Sequence, residues 1–347
     1  MKKKLLNWYD LNKKDMPWRD NQDPYRIWVS EVMLQQTQVS TVIPYYKRWV
    51  QKFPNIKDLA EADIDDILKL WEGLGYYRRA HNLKSASEIV VSELNGLIPG
   101  NAEFKNLPGV GDYIYAAVLS IAFNKPIPVI DGNVKRVFSR FYEQDFTNST
   151  EIKKLQEKLL KLICQERPGC FNQALMDLGR EVCKPQNPKC QDCPILEKCK
   201  AYINKTVELY PHKTKKKKTP FFDVVVGYIE NDEENFIITK RPNDKMLGGL
   251  WELPGGKKEK RESLKNALMR ELKEELNIEV SIHAKLGMIE HSYSHMKIKL
   301  HAYKCKIEKG EIEIREAQGL KWIQLKDIKQ YSFPTANHKL FNQISQN

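Results

Sequence analysis

No run of about 18 consecutive apolar residues occurs in the 347-residue sequence, which excludes a transmembrane helix of ordinary length. The basic start MKKKLLNWYDLNKKD has only Leu5 and Leu6 before polar residues return, so it lacks the apolar stretch of a secretory signal. A soluble protein of the cytoplasm is expected. Clear strands are missing from Trp8 to about Tyr202. The glycine turn LPGVGDY is not followed by the lysine that a nucleotide P-loop needs to reach the β and γ phosphates. Cysteine is sparse: Cys164, Cys170 and Cys305 stand alone, and the other four crowd into CKPQNPKCQDCPILEKC. Negative charge is in deficit, with a formal net charge of +12, which favours a polyanionic partner. Charge alone does not separate nucleic acid from a membrane surface.

What is present divides in two. Over residues 1–204 apolar residues recur at three- and four-residue spacing, with breaks expected at Pro44, Pro54, Gly73, Pro99 and Pro108. A basic linker, 205–220, carries five lysines between Lys213 and Lys218. From 221 to 347 the segments FFDVVVGYIE, NFIITKR and KIKLHAYKCKI read as strands, with one clear helix at Ser263 to Leu276. The fold class expected is multidomain, an all-α domain followed by an α+β domain, each long enough to bury a core.

Two stretches of the helical half carry chemistry. In LPGVGDYIYAAVLSIAF, Gly109 and Gly111 form a tight turn whose amides point outward at a helix N-terminus, a ready site for phosphate. An ordinary glycine-capped corner reads equally well. The cysteine run, C-x6-C-x2-C-x5-C, offers Cys183, Cys190, Cys193 and Cys199 as four thiolates. In a reducing compartment such a set binds metal rather than forming disulfides. Spacing does not distinguish zinc from an iron–sulfur cluster.

The cysteine run following a helix–hairpin–helix resembles the [4Fe-4S] loop of the endonuclease III superfamily of DNA glycosylases. PWR, SEVMLQQTQV, GLGYYRRAHNL, LPGVGDY and VIDGNV narrow the match to adenine DNA glycosylases of the MutY type. These motifs span nearly all of the first 200 residues. The resemblance implies a monomeric enzyme of base excision repair that removes adenine opposite 8-oxoguanine or guanine in double-stranded DNA, with a [4Fe-4S] cluster on the four cysteines. Such an enzyme associates with the nucleoid.

The residues make sense in those terms. Glu31 lies among Ile27, Trp28, Val29, Val32, Met33 and Leu34, so its carboxyl is expected to be desolvated and its pKa raised. A protonated Glu31 is suited to donate to adenine N7 as general acid. The alternative is a helix glutamate paired with Arg19 or Arg26. Asp131, in NKPIPVIDGN, reads on its own as a helix N-cap. The resemblance implies instead a carboxylate beneath C1′ that stabilises the oxocarbenium-like transition state or forms a covalent intermediate, related to glycoside hydrolysis. Tyr113 occupies the point where bifunctional relatives carry a Schiff-base lysine, which implies a monofunctional enzyme. By the same resemblance Asn133 is a hydrogen-bonding partner in the site, and Trp18 and Arg19 shape the adenine pocket. Gln36 and Tyr76 wedge into the base stack, while Gly109 and Gly111 hold the phosphates beside the extruded nucleotide.

Residues 256–278 fit the Nudix pattern at every specified position but one, presenting Glu271, Glu274 and Glu275 to divalent metal with Arg270 as their organiser. Asn277 replaces the last glycine and tolerates positive φ best among the other residues. A motif this complete leaves open a pyrophosphohydrolase of oxidised nucleotides, and a third reading is a non-catalytic mismatch-binding protein. The segment HSYSHMK resembles the F-S-H segment with which the family's C-terminal domain meets 8-oxoguanine. With Tyr293 in place of the phenylalanine, it implies Ser294 as acceptor for N7–H of the lesion and His295 as the residue shaping the loop; a plain polar surface or a weak metal site is the alternative reading of the same residues.

Overall fold

The structure, a computed structural model, describes residues 1–212 and 219–346. The lysine run anticipated at 213–218 lies outside the described residues. The chain forms two compact units, Met1–Glu61 with Asn82–Lys215, and Ala62–His81 with Lys216–Asn347.

The first unit is helical, and its helix starts follow from local chemistry. Asp23 caps Pro24–Leu34 by accepting from Arg26 N at 2.9 Å, with proline at the first helical position. Asn148 and Glu151 form a reciprocal capping box at Ser149–Leu162. The break expected at Pro44 does not occur, since this residue lies inside the Val39–Lys52 helix. An interior proline costs about 3 kcal/mol. Burial of Val42, Tyr46 and Trp49 on one face of that helix offsets it at about 1.5–3 kcal/mol per large side chain. Phe138, Leu155, Phe171, Leu175 and Leu178 form one of the unit's cores, and Cys183, Cys193 and Cys199 pack against its edge.

In the second unit a four-stranded sheet runs in the order Gly255–Lys257, Phe221–Ile229, Lys297–Lys309, Glu279–Ser292, its central pair parallel and the other pairs antiparallel. Alternation along the strands feeds two cores. Val225, Ile229, Tyr303 and Cys305 meet the helix Leu264–Leu276, whereas Val226, Ile298, Leu300 and Ala302 meet Ala336, Leu340 and Phe341. The latter three sit on a second helix, Thr335–Ile344, in addition to the one expected from the sequence. A three-stranded antiparallel sheet of Trp251–Glu252, Phe236–Lys240 and Gly319–Ile323 completes the unit. The segment 62–81 is fastened within this unit by Lys240–Asp65 at 2.6 Å. Glu72 adds to the fastening, accepting from Phe333 N at 2.7 Å and lying 2.6 Å from His338 Nε2.

Candidate active site

Three helices of the first unit bring a group of polar residues into an apolar setting. Glu31 rides on Pro24–Leu34 and is 5% exposed. Tyr113 begins the helix Asp112–Ile121 and donates its hydroxyl to Glu31 Oε2 at 2.5 Å. Asp131 caps Gly132–Tyr142, one carboxylate oxygen accepting from Val134 N at 2.6 Å and the other from Asn133 Nδ2 at 2.8 Å. Burial pushes the Glu31 carboxyl up to about 7, even though the Tyr113 hydrogen bond and the Arg19 charge pull it down and Asp131 adds to the rise. Burial, then the Glu31 and Asp131 charges, raise the Tyr113 phenol far above its ordinary range. Glu31, Tyr113 and Asp131 therefore share one electrostatic environment.

The alternative pairing of Glu31 with Arg19 is not made. Arg19 forms a two-pronged bridge to Asp177 at 2.9 and 3.0 Å. Trp18 is buried, edge-on to Tyr46 with ring centres 5.4 Å apart. Asp177 was not singled out from the sequence. Its signal is the one that exposed Glu31: a lone acid among apolar neighbours, Leu175, Met176 and Leu178, on the helix Pro168–Glu181.

At the hairpin the two glycines differ. Gly109 has φ +77°, and a Cβ there would lie 2.8 Å from Asn82 Cβ, so both backbone sign and close approach require glycine. Gly111 has φ −83° and open space around it, so only one of the pair is conformationally needed. Gly111 N donates within the turn to Gly109 O at 3.2 Å, and no side chain caps the helix that follows. Gln36 and Tyr76 are exposed and both occupy left-handed backbone, with φ +59° and +51°.

The four clustered cysteines lie close enough to interact electrostatically. Burial first and then the neighbouring thiols raise Cys190 and Cys199, and push Cys193 up to about 12; Cys183 is among the interacting neighbours in each case. Arg136 connects this loop to the carboxylates, donating to Cys183 O at 2.8 Å and to Asn133 Oδ1 at 2.8 Å. Asn133 in turn donates to Asp131.

In the second unit, Asn277 ends the Leu264–Leu276 helix with φ +58°, as its replacement of glycine requires. Arg270 lies 2.8 to 3.0 Å from Glu262, Glu271 and Glu274. Glu275 instead accepts from Gly255 N at 3.0 Å and is pushed up to about 8 by burial and then by Glu252. Among the described residues no three acids, cysteines or histidines close around a single metal ion. Ser294 and His295 are exposed in the turn between Glu279–Ser292 and Lys297–Lys309, their Oγ and Nδ1 3.4 Å apart.

Residues 29–164 match the family model of the HhH-GPD superfamily base excision DNA repair protein, and residues 225–343 match that of the NUDIX domain. An adenine DNA glycosylase of Rattus norvegicus is 33% identical over 98% of this chain and 77% of its own length. An adenine DNA glycosylase of Arabidopsis thaliana is 34% identical over 86% of the chain, which spans 55% of that relative. A thermostable thymine-DNA glycosylase structure superposes with a TM-score of 0.54 at 29% identity, covering 58% of this chain and 94% of the other.

Proposed function

Since the chain belongs to the adenine DNA glycosylase family, we propose that it excises adenine mispaired with 8-oxoguanine, with Glu31 as general acid and Asp131 as the carboxylate beneath C1′. The observation that carries this reading is a carboxyl held at about 7 by burial, fastened by Tyr113 and influenced by a second carboxylate. A group with that pKa keeps a proton near neutral pH and still has a driving force to give it away. Donation to adenine N7 turns the base into a neutral leaving group. Asp131, fixed by two hydrogen bonds, then offsets the positive charge that develops on the sugar. Asn133 orients that carboxylate, and Arg136 orients Asn133.

Extruding the adenosine costs a few kcal/mol, to be offset by pocket contacts and wedging side chains. Trp18 and the Arg19–Asp177 pair supply a stiff pocket wall, and Gln36 and Tyr76 are exposed for wedging. The first amides of the Asp112–Ile121 helix, uncapped by any side chain, suit a DNA phosphate. Tyr113 stands where a Schiff-base lysine would act, so the product is an abasic site. The test incubates the protein with an A:8-oxoguanine duplex and borohydride. Free adenine with an intact strand and no covalent protein–DNA product is expected; efficient trapping overturns the monofunctional assignment.

The donor set of Cys183, Cys190, Cys193 and Cys199 fits a [4Fe-4S] cluster: four thiols in one short loop, of which Cys190, Cys193 and Cys199 are raised by burial and so call for a strongly positive centre to ionise them. When bound, such a cluster supplies a cross-link within the loop that Arg136 joins to Asn133. Visible charge-transfer absorption and iron content test it against zinc.

Ser294 is proposed to read the lesion. Oxidation turns guanine N7 from an acceptor into an N–H donor, which a hydroxyl oxygen can accept. One good base-edge contact is worth about 1–3 kcal/mol, roughly ten- to one-hundredfold in preference. Replacing Ser294 and His295 by alanine is expected to reduce the preference for A:8-oxoguanine over A:G by about that factor while chemistry on bound DNA persists. Unchanged selectivity in the double variant removes this turn from the reading site.

A further inference from the structure

Arg140 lies on the same helix as Asp131 and is 3% exposed. Its guanidinium makes five contacts. Nε donates to Val207 O at 3.1 Å and Tyr210 O at 2.9 Å, Nη1 to Lys184 O at 2.7 Å, and Nη2 to Pro185 O at 3.1 Å. The fifth, from Nη1, reaches Cys183 Sγ at 3.4 Å. Its own carbonyl accepts from Cys199 Sγ at 3.6 Å, so the residue touches the first and last cysteines of the set. Two of the four carbonyls, those of Lys184 and Pro185, directly follow Cys183 at the start of the cysteine loop, and the other two, those of Val207 and Tyr210, lie beyond its end at Cys199.

The absence of an acid is the informative feature. Buried arginines are ordinarily matched by a carboxylate, because an unmatched buried charge is costly. Among the described residues no carboxylate forms an ion pair with Arg140; its partners are neutral carbonyls and one sulfur. Arg19, similarly enclosed, has Asp177. The missing negative charge is the one a thiolate-ligated cluster would bring. We propose that Arg140 is the built-in counter-cation of the cysteine site, an N–H···S donor to Cys183 that sets the reduction potential of the bound cluster and its hold on iron. The inference rests on the cluster assignment above, and it gives Arg140 a role separate from that of Arg136, whose hydrogen bonds go to the Cys183 carbonyl, Asn133 and the Gly179 carbonyl.

The sign follows from electrostatics. Reduction adds negative charge to the cluster, and a fixed cation with an N–H···S bond stabilises the reduced state more than the oxidised one. Removing both makes the cluster harder to reduce. The experiment compares the full-length wild type, Arg140→Met and Arg140→Lys, each purified anaerobically, by iron content, mediated potentiometric titration and the rate of iron release to a chelator. For Arg140→Met the oxidised-to-reduced ratio at the wild-type midpoint is expected to rise at least about tenfold, a shift of about 59 mV to more negative potential for one electron. Arg140→Lys keeps the charge without the planar fork, so a smaller shift in the same direction is expected, with iron release faster than wild type. Iron-loaded Arg140→Met with an unmoved midpoint overturns the proposal. If that variant does not hold iron, Arg140→Lys decides: wild-type midpoint with faster iron loss reduces Arg140 to a mechanical clamp and also overturns it. A wild type that binds zinc and no iron overturns the cluster assignment itself, an outcome distinguishable from the others before any variant is made.

Discussion

Glu31→Gln is expected to lower single-turnover adenine release by roughly 10²–10⁴-fold, the span of general acid catalysis, while making the folded protein more stable at pH 8. Both effects have one source. In the folded state burial holds the carboxyl at about 7 against an ordinary 4.5. Above pH 7 the native protein contains a buried carboxylate that the unfolded chain would solvate, so the native state is penalised. As pH falls through 7 the folded carboxyl takes its proton, and below 4.5 both states are protonated and the penalty is gone. The full penalty is on the order of 3 kcal/mol. Glutamine carries no charge, keeps the shape and still accepts from Tyr113, so it avoids the penalty and lacks the transferable proton. Denaturant midpoints of the two proteins at pH 8 and pH 4.5 check this: the variant's advantage at pH 8 is expected to shrink at pH 4.5. A variant less stable than wild type at pH 8 would place Glu31 in a structural ion pair instead.

Asp131→Asn separates two roles that the geometry superimposes. The carboxylate is the N-cap of Gly132–Tyr142, and it is also the proposed partner of the developing sugar cation. Asparagine caps a helix about as well as aspartate, so the thermal midpoint is expected to stay within the range of a neutral surface change, about 0.5 kcal/mol. Adenine release, by contrast, is expected to fall by at least about 10²-fold, the cost of removing one preorganised charge from a site where charge develops. Asp131→Ala is the control, losing the cap at about 1 kcal/mol as well as the charge. Stability and activity that fell together in both variants would reduce Asp131 to a cap.

The parts legible from sequence were those with local causes. Glu31 stood out because an acid in a run of aliphatic and aromatic neighbours has no solvated face to turn to. The helix caps at Asp131 and Ser263, and the left-handed stop at Asn277, depend on only a few neighbouring residues. Asp177, Arg136 and Arg140 depend on partners 43 or more positions away: Arg19 with Asp177, Arg136 with Gly179 and Cys183, Arg140 with Cys183 through Tyr210. No period or motif encodes such partners, because chain folding alone brings them together. Neither the helical setting of Pro44 nor the helix Thr335–Ile344 is announced by its local residues, for the same reason. In both, burial of one face against a distant core overrides what the local residues favour. The segment 62–81 packs in the same unit as the C-terminal sheets, a placement set by Asp65 and Glu72 meeting Lys240, Phe333 and His338, again across long separations.

The pH dependence of single-turnover adenine release from an A:8-oxoguanine duplex, measured for wild type and Glu31→Gln from pH 5 to pH 9, tests the central claim most directly. The rate is expected to be high where Glu31 holds its proton and to fall as pH rises through a pKa near 7, up to about tenfold for each unit beyond it. The residual activity of the variant is expected to be flat across the same range. A wild-type profile as flat as that of the variant, or a variant that keeps both the wild-type rate and its descending limb, contradicts Glu31 as the acid.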